Sequence, residues 1–140
     1  VARVTAPDIE LWLTTYLRAA LAAEGVAAQV SNKEPADLKL PLSKPLVVVR
    51  DDSGPRLSQV TFDRSLGVSV LAGTRTNDKQ ASDVARLVMA IMTDEPIITA
   101  AGSPVAAIEW DGCNGPYPVT EELDVARRYG TVQYTIVGSW

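Results

Sequence analysis

The sequence predicts an α+β fold: a single mostly antiparallel, mixed β-sheet with two α-helices packed on one face. Three observations predict it. Between Leu46 and Met92 three strand-like segments lead directly into a long apolar helix. An amphipathic helix precedes this unit, and a last segment alternates apolar and polar residues at the period of a half-buried strand. The chain is 140 residues long, which suits one domain, 1–140, burying roughly two-thirds of the surface its unfolded form exposes.

Pro7-Asp8 opens the first helix, with Asp8 able to cap it and Glu10 placed at the positive end of its dipole. Ile9, Trp12, Leu13, Tyr16, Leu17, Ala20 and Leu21 share one helical face, while Thr14, Thr15 and Arg18 line the other. Trp12 and Tyr16 read as core anchors, and Gly25 is a plausible stop. Val26 to Val30 is a short strand candidate. The segment at about 31–45 then carries Pro35, Pro41 and Pro45 among Leu38, Leu40 and Leu42. Proline at this density prevents a central strand, so an extended loop is expected. Its leucines either meet a partner or fold back on their own domain.

Leu46 to Val49 reads as a buried strand, and Asp51-Asp52-Ser53-Gly54-Pro55 as a polar break. Leu57 to Phe62 and Leu66 to Ala72 read as a hairpin, with Asp63-Arg64-Ser65 as its turn. The helix from Asp78 to Met92 follows, with Asn77 and Gln80 at capping-box spacing. Its second half, including Leu87, Met89 and Met92, is apolar nearly all round. One sheet covers one side of such a helix, so the other side needs the first helix or another copy of the chain. Asp94-Glu95-Pro96 stops the helix, and Val105 to Trp110 is a strand. Asp111 to Pro118 reads as dense turn chemistry, Glu121, Glu122 and Asp124 as an acidic loop, and Tyr129 to Val137 as the closing strand.

Charge and composition exclude several classes. The chain has 13 Lys and Arg against 17 Asp and Glu, which argues against nucleic-acid backbone as its main partner. It contains no His, which removes Ser-His-Asp and Cys-His nucleophile systems and the usual zinc sites. The single Cys113 cannot form an intrachain disulfide, fits a reducing compartment, and has nothing beside it to activate a thiol. No apolar run approaches the ~20 residues of a membrane helix. No basic leader precedes an apolar core, so secretion is not expected, and Val1 is not expected to be the natural start.

Phosphate-binding and nucleophile-elbow glycine motifs do not occur. Asp37-Leu38-Lys39 has the acid-x-Lys spacing of some metal-dependent nucleases but sits in the proline-broken loop. Asp51-Asp52 and Glu121-Glu122 could bind a hard cation, yet read better as solvated loop charge. No catalytic residue, cofactor or metal is expected.

One ordered set of landmarks points further. It comprises the helix Ile9-Glu10-Leu11-Trp12-Leu13-Thr14-Thr15-Tyr16-Leu17 and the stretch Val30-Ser31-Asn32-Lys33-Glu34-Pro35. Val47-Val48-Val49-Arg50-Asp51-Asp52-Ser53-Gly54-Pro55-Arg56-Leu57 follows, then Leu66-Gly67-Val68-Ser69-Val70-Leu71-Ala72-Gly73-Thr74 ahead of the second helix. Gly115-Pro116-Tyr117-Pro118-Val119, the acidic loop and Arg127-Arg128-Tyr129 complete it. In this order the landmarks resemble the tail terminator proteins of long-tailed bacteriophages, in the version common among phages of actinobacteria.

The resemblance implies a structural virion protein at the head-proximal end of the tail, assembled in the host cytoplasm. It would cap the tail tube as a homo-hexameric ring, stop tube polymerisation, and present a surface to the head-completion or stopper protein of the neck. Genomic DNA would pass through the ring without specific binding, and no membrane would be involved. A closed ring uses head-to-tail contacts, so each subunit needs two different adhesive faces. Leu38, Leu40 and Leu42 on the loop, and Leu87, Met89 and Met92 on the second helix, are the candidates. Two alternatives stand beside this: a head-completion or stopper protein of the neck, and a soluble small-ligand module with Trp12, Trp110 and Tyr134 lining a pocket.

Overall fold

The computed structural model describes residues 3–140, so Val1 lies outside the described residues. Helix α1 (Ile9–Ala23) starts at Asp8, whose Oδ1 accepts the Leu11 N–H at 3.1 Å. Gly25 ends the turn after it at φ +76°, a left-handed conformation glycine enters without strain. Strand β1 (Gln29–Ser31) pairs parallel with β2 (Leu46–Asp51), which pairs antiparallel with β3 (Thr61–Ala72). After β3 come α2 (Lys79–Met92), a short α3 (Pro96–Thr99) and β4 (Val105–Ile108). A 3-10 turn over Trp110–Gly112 leads into β5 (Asn114–Val119) and then β6 (Ala126–Val137). The strand order is β1-β2-β3-β6-β4, and β5 also pairs with β6. The predicted α+β class, with one mixed sheet, is what is found.

Register sorts the sheet into two faces. Val47, Val49, Leu66, Val68, Val70, Val132, Tyr134 and Ile136 project to one side, where they are buried. They pack on Ile9, Leu13, Leu17 and Leu21 of α1 and on Val84, Val88 and Met92 of α2. Both helices therefore lie on one face, and fully burying each such side chain contributes roughly 1.5–3 kcal/mol. The Tyr134 hydroxyl, inside this layer, donates to the Met92 carbonyl at 2.5 Å and ties the end of α2 to β6. Its burial pushes the phenol pKa up. At Gly130 the two elements approach closely: a Cβ there would lie 2.6 Å from the Met89 sulfur.

Several expected boundaries are corrected. Asp63-Arg64-Ser65 is not a turn: β3 runs unbroken from Thr61 to Ala72 and pairs with β6 along its whole length. The turn lies earlier, where the Leu57 and Ser58 N–H groups bond the Thr61 carbonyl. Polar residues continue β3 because Asp63 and Ser65 point away from the helices, and Gln133 donates to Asp63 at 2.8 Å. The Asn77–Gln80 capping box does not form; Asp78 is the N-cap, and its carboxylate accepts from Arg128 at 2.5 Å instead. Asp111 to Pro118 is largely strand β5, because an edge strand tolerates Pro116 and Pro118, which lack the N–H a central strand needs. The Val26–Val30 strand is shorter and later than expected, β4 stops at Ile108, and β6 begins at Ala126.

Candidate functional site

The face of the sheet turned away from the helices is polar and internally paired. Arg50 Nε meets Asp52 Oδ1 at 2.7 Å, and Arg50 Nη2 donates to the Tyr129 hydroxyl at 2.8 Å. Gly67 lies under that hydroxyl, where any Cβ would collide with it. Arg127 donates through Nη1 and Nη2 to both Glu34 oxygens at 2.9 and 3.1 Å, and through Nε to Glu121 at 2.8 Å. That bond holds the Glu121 carboxyl below its ordinary range. Between these groups lies a depression of about 310 Å³, lined by Glu10, Glu34, Arg50, Arg127 and Tyr129 among others.

Arg127 also explains the proline-rich loop. By holding Glu34 it pins the loop's start to β6. Leu38, Leu40 and Leu42 are half-buried and close over Leu46, Leu71 and Val125, a small second core on this face. The leucines thus fold back on their own chain, the second of the two expectations for them. The three predicted helix residues sit on the opposite face. Met92 is fully buried and Met89 is 9% exposed, both within the main core. Their assignment as contacts to a neighbour is corrected: α1 and the sheet already cover them. Leu87 is half-buried on the flank of that core. The six candidates therefore form two groups, neither a free adhesive surface.

The remaining sequence candidates disperse. Asp37 and Lys39 are exposed in the loop. Asp51 accepts the Ser53 N–H, Asp52 is held by Arg50, and Glu121 by Arg127. Cys113 is half-buried, its Sγ donating to the Glu109 carbonyl at 3.5 Å. Trp12 stacks on Tyr16 at 4.9 Å, Tyr134 is sealed in the core and Trp110 is exposed, so the three do not line a common pocket. Among the described residues no three His, Cys, Asp or Glu are grouped to hold a metal ion. No described helix is long and apolar enough to cross a membrane.

Sequence reasoning missed the rim beside β4. Trp110 is 64% exposed there. On one side it borders a shallow hollow of about 490 Å³ lined by Asp94, Glu95, Ile98, Ala107 and Ile108. On the other it borders Asp63, Glu109, Asp111 and Gln133. Thr135 Oγ1 donates to Glu109 at 3.1 Å. Burial, and next the hydrogen bond with Asp63, hold the Glu109 carboxyl above its ordinary range. The signal available in the sequence was the indole itself, flanked by Glu109 and Asp111, a setting that suits a wet rim better than a core. In comparisons with known proteins, no family model matches the chain and no curated protein is significantly similar to it.

Proposed function

We propose that this chain is a structural protein of the tail terminator kind, working through docking surfaces and not through catalysis. In this reading copies close into a ring on the head-proximal end of a phage tail tube. The ring stops tube growth, receives the head-completion or stopper protein, and lets DNA pass without binding it specifically. One observation carries the reading: large exposed apolar side chains stand on the rims of the fold, with Trp110 at 64% exposure beside the free edge of β4. Rims are where neighbouring copies meet in a ring, and exposed aromatic residues are enriched at such contacts. The acidic balance of 17 Asp and Glu over 13 Lys and Arg also suits a conduit that must not hold phosphate.

The test adds purified protein to polymerising tail-tube subunits and measures tube lengths by negative-stain microscopy. Length limitation that scales with added protein is expected, with density capping one tube end. Tubes of unchanged length distribution at stoichiometric excess over tube ends would overturn the reading.

A further inference from the structure

Trp110 lines two hollows beside the free edge of β4. The one next to the α2–α3 junction, about 490 Å³, is lined by Ile98, Ala107 and Ile108 together with Asp94 and Glu95. The one toward the open face, about 420 Å³, is lined by Asp63, Glu109, Asp111 and Gln133. Every ionisable residue lining either hollow is therefore a carboxylate, five in all, with no Lys or Arg. None of the five has an ion-pair partner among the described residues. Asp94, Glu95 and Asp111 are exposed. Arg64, next to Asp63 in sequence, is turned away and donates to the Gly54 carbonyl at 3.0 Å. The bias is wider than the hollows: from Leu87 to Ala126, which supplies α3, β4, Trp110 and β5, there is no Lys or Arg against seven Asp and Glu.

The edge also decides what kind of contact it can make. β4 is four residues long, and its register with β6 shifts between Val105 and Ala107. The Val105 N–H is already taken by Ser103 Oγ at 3.1 Å. A short, bulged edge is a poor template for a further strand, so contact here is made by side chains and not by a continued ladder. Among aromatic side chains indole holds a cation best. A guanidinium stacks flat on such a ring while its fork of N–H donors meets carboxylates, which a lysine ammonium cannot match. The apolar lining of Ile98, Ala107 and Ile108 suits the methylene stem behind the charged head.

We infer that the Trp110 rim is a docking site for a basic segment of another protein, which lays an arginine side chain on the indole between these carboxylates. Charge complementarity selects this occupant: an acidic or phosphate-bearing partner is repelled by all five lining carboxylates, whereas a guanidinium gains ion pairing and a cation–π contact together. The carboxyl of Glu109, held above its ordinary range by burial and then by Asp63, gains a counter-charge when such a partner docks. The inference does not depend on the ring reading; it names the chemistry of what meets this rim.

The probe is a tetra-arginine peptide amide, titrated into the isotopically labelled whole chain at an ionic strength of about 0.01 M, where exposed charges are little screened. Nuclear magnetic resonance is expected to show shifts of the Trp110 indole and of the Ala107 and Asp111 amides, saturating with a Kd of about 1 mM or tighter. A tetraglutamate peptide should shift none of them. Trp110→Leu keeps an apolar side chain and removes the ring, so binding should weaken about two- to fivefold. Asp111→Lys should weaken it at least about fivefold. Glu122→Lys makes the same change of net charge on the exposed acidic loop and should weaken it less than about twofold. Circular dichroism checks that each variant is folded. No shift at Trp110 would overturn the inference. Equal weakening by the two lysine variants would also overturn it, since that is general attraction to an acidic chain. Shifts of the same resonances on concentrating the protein without peptide would show a second copy on the rim and would overturn the choice of partner. Tube-length limitation is scored separately, so the failure of this assignment and the failure of the terminator reading are distinguishable.

Discussion

Gly130 and Met89 provide a direct measure of how closely α2 lies on the sheet. A Cβ added at Gly130 would lie 2.6 Å from the Met89 sulfur, against the 3.5–4.0 Å of a good contact, so the thioether must move by about 1 Å within the packed core. Overpacking costs about 1–3 kcal/mol, and the lower end applies here because the atoms met are all on the flexible Met89 side chain. Gly130 has no positive φ, so Gly130→Ala strains no backbone, and the lower chain entropy of Ala offsets about 0.5–1 kcal/mol of that cost. Met89→Ala alone should cost about 2 kcal/mol, the lower end for a core methionine, since Met89 is 9% exposed. In the double variant the new methyl occupies space the thioether has vacated. Its destabilisation should fall short of the sum of the single effects by about 1 kcal/mol or more. Urea unfolding followed by circular dichroism gives all three values, with m unchanged if the native state is intact. Additivity within about 0.5 kcal/mol would refute the packing argument. A Met89→Ala variant that keeps its stability but loses self-association would show that Met89 is an interface residue after all.

Two further outcomes concern the clamp and the carboxylates. Arg127→Ala removes the bonds that hold Glu34 and Glu121. Charge-assisted bonds contribute about 1.5–3 kcal/mol each, so tryptic cleavage after Lys39 should accelerate at least about tenfold while global unfolding shifts less. Unchanged cleavage would mean that the leucines hold the loop unaided. The pH dependence of stability should carry two opposed contributions. The folded pKa of Glu121 lies below its ordinary 4.5, so its contribution is present above that pH and is lost as pH falls through the folded value. Glu109 is raised above 4.5, so its ionisation opposes folding as pH rises past that point. Glu109→Gln should therefore raise the urea midpoint at about pH 7 and leave it unchanged at about pH 4, and a lowered midpoint at pH 7 would contradict the assignment.

The fold was legible wherever burial set the residue pattern. The α1 stripe of Ile9, Leu13, Leu17 and Leu21 and the alternation of Val132, Tyr134 and Ile136 identify their elements because each faces one apolar layer. Reading failed where a strand faces water on one side and carries polar or proline residues. Asp63 to Ser65 looked like a turn because the partner that satisfies Asp63, Gln133, is 70 residues away. Pro116 and Pro118 looked like turn chemistry because nothing local reveals that their strand lies on an edge. The candidate surface was misread for a related reason. Met89 and Met92 lie in a run too apolar for one covering element, and the sequence does not say that α1 supplies the second.

The same distinction between satisfied and unsatisfied groups bears on where a partner binds. On the open sheet face the cations are committed: Arg50 to Asp52 and Tyr129, Arg127 to Glu34 and Glu121. An anionic ligand entering there would have to displace a carboxylate from Arg127, whose side chain is only 16% exposed, and leave that carboxylate without its partner. Displacement of this kind carries the cost of the broken charged hydrogen bonds as well as the ligand's own desolvation. The rim at Trp110 carries less of this debt. There Asp94, Glu95 and Asp111 have no ion-pair partner among the described residues, and the indole of Trp110 is 64% exposed. A partner docking at this rim breaks no ion pair, which is why adhesion there is favoured over occupancy of the face.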